Sequence, residues 1–536
     1  MSEELTASDQ VHLVEALTNG KVAGTGRCSI IETHISYVLL TGSHAYKIKK
    51  AVDLGFLDFT ARSSRKHFCE EELRLNRRLA PEIYLDVVAI TGSIDAPTIE
   101  GAGPELDYAV RMREFPQEAL ASDLLARGEL SLADVDGLAA QIAAFHGSVA
   151  VASPRDPFGT PDAIREMAVE NFAAMRPLAA TPSERAEIEA MATWTEREYL
   201  ACQATFRTRQ REGFVRECHG DLHLGNIARL DGKLTIFDCI EFNETMRWID
   251  VMSEVAFLVM DLQDRKRDDL AQRFLNAYLE ITGDYAGLAV FRFYLAYRAM
   301  VRAKIHCLRG AQLDPGTARS SALALYREYL ALACSYRRLQ HPAIVLMHGF
   351  AGCGKTSRSQ LLLEVTAAVR IRSDVERKRL FGLGLLERAT ADIEGGPYTS
   401  AGTNATYRHL CALARDVVAA GFVVVVDAAF LSRWQRDLFR TLATEVHVPF
   451  VMVTFVASEA TLHDRVAGRA ASGRDASDAD VAVLEHQFRT QEPLAADELT
   501  DVVEQDAESP LGLARGPEAW RSVLERIAGP GRSAAA

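Results

Sequence analysis

At 536 residues, with 48% hydrophobic and 25% charged side chains, the chain far exceeds a domain of about 150 residues, so more than one hydrophobic core is expected and a fibrous or disordered chain is excluded. A formal net charge of −13 argues against extended nucleic-acid binding and leaves room for a local basic pocket that takes a nucleotide or sugar phosphate. The polar, acidic opening MSEELTASDQ is no signal peptide, the apolar runs are too short for a membrane span, and nine cysteines without C-x-x-C pairing suit reduced thiols, so a cytoplasmic chain is expected.

In chain order, CSIIE, HISYVLL and HAYKIKK read as strands of a small antiparallel sheet, with a turn at Thr41-Gly42-Ser43. Ser63 to Leu79 reads as a surface helix that stops before Pro81, and strands around Tyr84 to Ile90 and Tyr108 to Met112 complete a first lobe over residues 1–115. Helical periodicity then dominates residues 116–340, with helices starting near Asp134 and Pro182, a strand pair around Leu234 to Phe237, a helix from Trp248 to Leu262 and another from Thr317 to Leu339. Beyond Pro342 short apolar strands alternate with helices (AIVLM, VRIRSD, FVVVVD, FVMVTFV), which predicts a parallel α/β sheet over residues 341–508. The boundary is expected near residue 340, and residues 509–536 are expected to hold one short helix, around Pro517 to Ile527, and a flexible tail.

The segment HGDLHLGN, His219 to Asn226, puts an Asn five residues after an Asp, and the strand LTIF then delivers Asp238. Protein kinases use this layout, with Asp221 as the base for the attacking hydroxyl and Asn226 and Asp238 as ligands of the Mg2+ ions that bridge the ATP phosphates. His219 and His223 are expected to order the loop, and Asp250 to brace a helix start. The motif resembles that of the aminoglycoside phosphotransferase and choline kinase group, with Leu224 where a Pro is frequent. That resemblance implies a bilobal protein-kinase-like fold with ATP in its cleft, and a strand Lys on the phosphates held by a helix Glu. Lys47 matches the Lys, with Lys49 as fallback, and Glu72 matches the Glu, with Glu71 second. Gly24-Thr25-Gly26 is too short for a Gly-rich loop, and the apolar run VDLGFLDF reads as lobe packing ahead of a substrate box.

Gly349 to Thr356, GFAGCGKT, is a complete P-loop between a strand and a helix. Gly349, Gly352 and Gly354 let the backbone cradle phosphates, Lys355 reaches the outer phosphates, and the Thr356 hydroxyl ligates magnesium. Strand VVVVD offers Asp427 as a Walker B carboxylate. IRSDVERKRL places Asp374 and Arg377 at the carboxyl edge of the sheet, where α/β folds bind ligands. It resembles small-molecule kinases of the P-loop class, in which such an acid takes the acceptor proton and the Arg holds the acceptor; a plain salt bridge is the alternative. Arg465 and Arg469, four apart on one helix face, with Arg474 beyond, are candidates for a phosphate-neutralising lid, against a solvated charged face.

As a whole the phrases YKIKK, GFLDF, HGDLHLGN, GFAGCGKT and SDVERKRL resemble bacterial proteins described as bifunctional aminoglycoside phosphotransferase and ATP-binding proteins. The leading expectation is two ATP- and Mg2+-dependent kinase modules acting on small-molecule hydroxyls, each able to fold and bind ATP when cut near 340. The alternatives are an ATPase switch coupled to a kinase-like sensor, and a polynucleotide or RNA-end kinase in the P-loop half.

Overall fold

The computed structural model describes residues 5–19, 28–55, 57–338, 341–384, 387, 397–472 and 479–528. A helix at Ala7–Asn19 (α1) precedes strands Ser29–Glu32 (β1), Ser36–Leu40 (β2) and His44–Lys49 (β3). Helix Arg62–Asn76 (α2) and strands Tyr84–Ser93 (β4), Ala96–Ile99 (β5) and Glu105–Arg113 (β6) follow. The strands form one antiparallel sheet in the order β1-β2-β3-β6-β4-β5. Helix α1 was not anticipated from its polar composition. Its few apolar residues, Leu13, Val14 and Leu17, fall on one face and pack against Leu39, Ile48, Val88 and Ile90. Its buried Gln10 closes the end of β3 by donating to the Lys49 carbonyl at 2.7 Å and accepting from Ala51 N at 2.8 Å.

Four helices follow, Ala121–Ala126 (α3), Leu132–Ser148 (α4), Pro161–Met175 (α5) and Pro182–Arg211 (α6). The start of α4 lies upstream of the expected Asp134, because Ser131 caps it and Asp134 closes a capping box. Strand Val215–Glu217 (β7) leads to the hairpin Ile227–Leu230 (β8) and Lys233–Ile236 (β9), then to helix Glu244–Arg247 (α7). Residues Trp248–Asp250, expected to be helical, are strand β10 paired with β7, and the helix Val251–Asp264 (α8) begins after them. Asp250 accepts from Arg209 at 2.7 and 2.8 Å and from Met252 N at 2.9 Å, so it braces that helix start. Helices Asp268–Thr282 (α9), Leu288–Gln312 (α10) and Thr317–Ser335 (α11) complete the helical stretch.

The remainder alternates as anticipated: Ile344–His348 (β11), Lys355–Thr366 (α12), Val369–Arg372 (β12), Ser373–Leu380 (α13), Ser400–Ala419 (α14), Val424–Asp427 (β13), Arg433–Glu445 (α15), Phe450–Val456 (β14), Glu459–Ser472 (α16), Val481–Thr490 (α17), Val502–Asp506 (β15) and Arg521–Ala528 (α18). The five strands are parallel, in the order β12-β13-β11-β14-β15. Their apolar runs are buried on both faces, as a helix-covered parallel sheet requires. Helix α18 lies where the short C-terminal helix was expected. Trp520 is 1% exposed, donates to the Ala514 carbonyl at 2.9 Å and joins Val523 in the core of this sheet. Residues 529–536 lie outside the described residues.

By contact density the chain divides into Met1–Glu170 with Phe206–Asp261, and Asn171–Thr205 with Leu262–Ala536. The P-loop sheet starts at Ile344, while the compact unit that contains it also takes in α9 to α11.

Candidate active sites

In the first unit, Lys47 and Lys49 alternate with Ile48 on β3 and so share a face of the sheet. Both reach the buried Glu72 of α2, at 2.8 Å from Lys47 and 2.7 Å from Lys49. They differ in their second partner. Lys47 Nζ lies 2.6 Å from Asp238 Oδ1, whereas Lys49, wholly buried, pairs with Glu241 and sits 5.2 Å over the Phe59 ring. Burial opposes ionisation of Glu72, but the two ammonium groups outweigh it and hold its carboxyl down at about 2. Burial pushes Glu241 up instead, with Lys49 and Lys47 opposing and Glu72 adding to the rise. Glu71, the second candidate, pairs with Arg74 at 2.9 Å and does not share this cluster. In the run VDLGFLDF, Leu57 and Phe59 are buried and Leu54 is exposed, while Phe56, like Gly24-Thr25-Gly26, lies outside the described residues.

The loop from His219 to Asn226 is held by α8. Glu254 accepts from His219 N at 3.1 Å and Gly220 N at 2.7 Å, and Asp261 accepts from Leu224 N at 2.9 Å. Seven residues separate these acids, two helical turns, so one face of an otherwise apolar helix grips both ends of the loop. Gly220, at φ +89°, leaves no room for a Cβ, which would stand 2.7 Å from the Met246 carbonyl. Burial would raise the Glu254 pKa, but hydrogen bonding and charge from His146, His219 and the backbone donors bring it to about 2. His219 is also buried, which lowers its pKa, and its Nε2 donates to the Phe237 carbonyl at 2.8 Å while Nδ1 accepts from Asp221 N at 3.3 Å. His223 accepts from Gly225 N at 3.0 Å through Nδ1. Both histidines therefore order the loop.

The Asn226 amide nitrogen donates to the Asp221 carbonyl and to its Oδ2, both at 3.0 Å. Asn226 thereby commits its amide nitrogen to Asp221, whose side chain is one-third exposed and whose Oδ2 also lies 3.4 Å from His223 Nε2. Asp238 follows β9 in the left-handed region at φ +64°, a conformation that costs a non-glycine residue about 1 kcal/mol or more, with its NH bonded to the Tyr84 hydroxyl at 3.1 Å. The five groups Lys47, Lys49, Glu72, Asp238 and Glu241 thus meet, and Asp221 and Asn226 meet on the loop from His219 to Asn226. Glu241, Glu254 and Asp261 were not singled out from the sequence. Two acids at heptad spacing in VMSEVAFLVMD were the readable signal for the last two.

In the second unit, Gly349, Gly352 and Gly354 have φ of +144°, +83° and +81°. A Cβ on Gly352 would come within 2.8 Å of the Leu462 carbonyl and 2.9 Å of Val466 Cγ2, and Gly354 is the left-handed cap of α12. Lys355 Nζ donates to the Gly349 and Phe350 carbonyls at 2.7 and 2.8 Å. Thr356 Oγ1 lies 2.7 Å from Asp427 Oδ2, which brings the expected hydroxyl and carboxylate together. From α17, Gln487 accepts from Ala351 N at 2.8 Å. His348, the last residue of β11, is held down at about 4 by burial, Arg436 and Lys355.

Asp374 opens α13 part-exposed, and Arg377, 9% exposed, spends Nη1 on the Pro397 carbonyl at 2.7 Å and lies 4.9 Å over the Tyr398 ring. The Arg377 Nε is buried without a hydrogen-bond partner. No ion pair joins Asp374 and Arg377 among the described residues. Arg465 reaches the Gly352 carbonyl at 3.5 Å and the Ala507 carbonyl at 3.0 Å. The side chain of Arg469 and all of Arg474 lie outside the described residues.

Among the described residues no helix is long and apolar enough to cross a membrane. The phosphotransferase enzyme family profile matches residues 53–292, and an AAA domain profile matches residues 344–494. Uncharacterized proteins of Mycobacterium tuberculosis and Mycobacterium bovis are 29% identical over 455 residues, covering 84% of this chain and 88% of theirs. Among solved structures, a choline/ethanolamine kinase family protein from Mesorhizobium loti shares 12% identity over 61% of this chain and 99% of its own, at a TM-score of 0.37. A gluconokinase from Sinorhizobium meliloti shares 23% over 36% and 94%, at 0.25. The antiparallel sheet with the HGDLHLGN loop in one unit, and a parallel sheet bearing a P-loop in the other, agree with the two profiles: the chain carries a phosphotransferase-family domain followed by an AAA-type P-loop domain.

Proposed function

We propose that the chain is an ATP-dependent phosphotransferase with two nucleotide sites, each passing the γ-phosphoryl group to a hydroxyl of a small-molecule acceptor. The observation that carries this reading is the Asn226 amide, whose nitrogen is committed to Asp221, which would leave its oxygen to serve as a cation ligand on the same loop as the proposed base. The donor set fits magnesium at both sites: amide and carboxylate oxygens from Asn226 and Asp238 in one, hydroxyl and carboxylate oxygens from Thr356 and Asp427 in the other. Held by these residues with ATP, magnesium would offset the negative charge that develops on the phosphates.

At the first site Asp221 takes the acceptor's hydroxyl proton as the acceptor oxygen bonds to the γ-phosphorus. The bond to the β–γ bridging oxygen breaks, and ADP leaves. Lys47, positioned by Glu72, is aimed at the phosphates, and Glu254 and Asp261 fix the loop. At the second site Lys355 moves from loop carbonyls to the outer phosphates, Asp374 serves as the base, Arg377 binds the acceptor and Arg465 leads the lid. Nine free thiols suit a reducing cytoplasm.

The test is ADP release by the full-length chain with ATP, Mg2+ and a panel of sugars, amino sugars and amino alcohols. In a Lys355→Ala background, Asp221→Asn should lower transfer by the first site about 10²- to 10⁴-fold. Transfer at the unmodified rate in that double variant would sink the assignment of Asp221.

A further inference from the structure

Strand β12 is an edge of the parallel sheet, pairing on one side only, with β13. An open edge presents backbone donors and acceptors that must be satisfied or shielded. Here they are taken by helix α9 and the turn after it. Arg370 N donates to Asn276 Oδ1 at 2.7 Å, Asn276 Nδ2 donates to the Ala368 carbonyl at 3.0 Å, and the Tyr285 hydroxyl donates to the Arg370 carbonyl at 3.3 Å. A single buried amide on α9 thus stands in for a neighbouring strand.

One turn further along, Glu280 receives two arginines of β12, Arg372 Nη1 at 2.7 Å on Oε1 and Arg370 Nη2 at 3.3 Å on Oε2. Arg370 does not stop there. Its Nη1 donates to the Thr356 carbonyl at 3.1 Å and to Ser359 Oγ at 3.2 Å, in the first turn of the P-loop helix. Arg372 stands two residues before Asp374, and Arg379 of the same α13 donates to the Glu280 carbonyl. All of these residues lie within one compact unit, although α9 falls inside the stretch that matches the phosphotransferase family, residues 53–292.

We infer that Glu280 is a positioning residue for the P-loop site: through Arg370 it fixes the helical turn that carries Thr356, and through Arg372 the approach to Asp374. The second site is completed by a helix that the sequence assigns to the first domain. Only an anion with two free oxygens serves, because each oxygen takes a different arginine. The inference rests on the reading of Thr356 as the magnesium hydroxyl.

The experiment uses the full-length chain with Lys47→Ala, so that nucleotide bound at the second site is read alone, and measures ADP affinity by calorimetry with Mg2+ and with chelator. Glu280→Gln is expected to cut the gain in affinity that Mg2+ confers by about tenfold, in the range seen when an outer-shell partner of a metal ligand is lost. Affinity in chelator should stay within about twofold, a split that general loss of structure would not produce. Glu280→Asp, which keeps both oxygens, should retain part of the gain. If Glu280→Gln does not fold, Arg370→Lys is read in the same way, since Lys cannot reach Glu280 and Thr356 together. An unchanged Mg2+ gain in the folded variants overturns the inference. Lys355→Ala in the same background separates the two claims. If it abolishes ADP binding while Glu280→Gln has no effect, only the positioning role falls; if ADP binding survives it, the P-loop reading falls and this inference with it.

Discussion

Lys47 and Lys49 stand two residues apart on one strand face and both touch Glu72, yet their second partners give them different work. Lys47 points to the part-exposed Asp238, and Lys49 is sealed against Glu241. Lys47→Ala should therefore abolish Mg·ATP binding at the first site with a modest change in stability, whereas Lys49→Met should leave two buried carboxylates undercompensated and cost about 3–5 kcal/mol. Urea midpoints and nucleotide titration of both variants check this, and a reversed pattern would exchange the two roles. The sequence narrowed the choice to these two lysines because strand alternation is local information. It put Lys47 first by resemblance alone and gave no physical reason to separate them, since Asp238 and Glu241 reach them from about 190 residues away, at separations of 191 and 192.

At the scale of elements, what was legible followed from short-range rules. The P-loop, its flanking strand and helix, and the alternation of the parallel sheet are written in contiguous residues. Strands β7 and β10, of three residues each, pair across some thirty intervening positions and carry too little pattern to be read. The Glu254 and Asp261 grip left one local signal, two acids at heptad spacing in an apolar run, but its purpose appears only once α8 packs against the loop. Strand β11 offers a pH test. His348 has no hydrogen-bond partner on Nδ1 and stays neutral down to about 4. Between an unfolded value of about 6.5 and that point the unfolded chain binds a proton that the folded chain does not. Its contribution is complete above pH 6.5 and is lost as pH falls toward 4, with a slope of up to about 1.4 kcal/mol per pH unit. Urea unfolding from pH 7 to 4.5 should show a shallower loss in His348→Gln than in the wild type. Parallel curves would mean that His348 is solvated.

For the whole molecule, on the proposed reading each site would draw its phosphate and metal groups from its own unit: Lys47, Asn226 and Asp238 from one, Lys355, Thr356 and Asp427 from the other. Titration of the intact chain with ADP and Mg2+ should thus give two equivalents, and Lys355→Ala should remove one and leave the other. The place to cut follows from the edge of β12. A fragment that starts at residue 341 keeps the whole P-loop apparatus but strips Asn276, Glu280 and Tyr285 from β12, leaving the outward groups of residues 368 and 370 without partners and a buried arginine without its acid. Each such loss costs about 1–3 kcal/mol, and together they are comparable to the stability of a domain. A fragment that starts at Leu262 retains them. The expected result is that the longer fragment binds one equivalent of nucleotide with the Mg2+ dependence of the intact chain, while the shorter one is less stable in urea and gains less from Mg2+. Equal stability and equal Mg2+ response in the two fragments would show that the P-loop domain is self-sufficient from residue 341 and that α9 is only a neighbour.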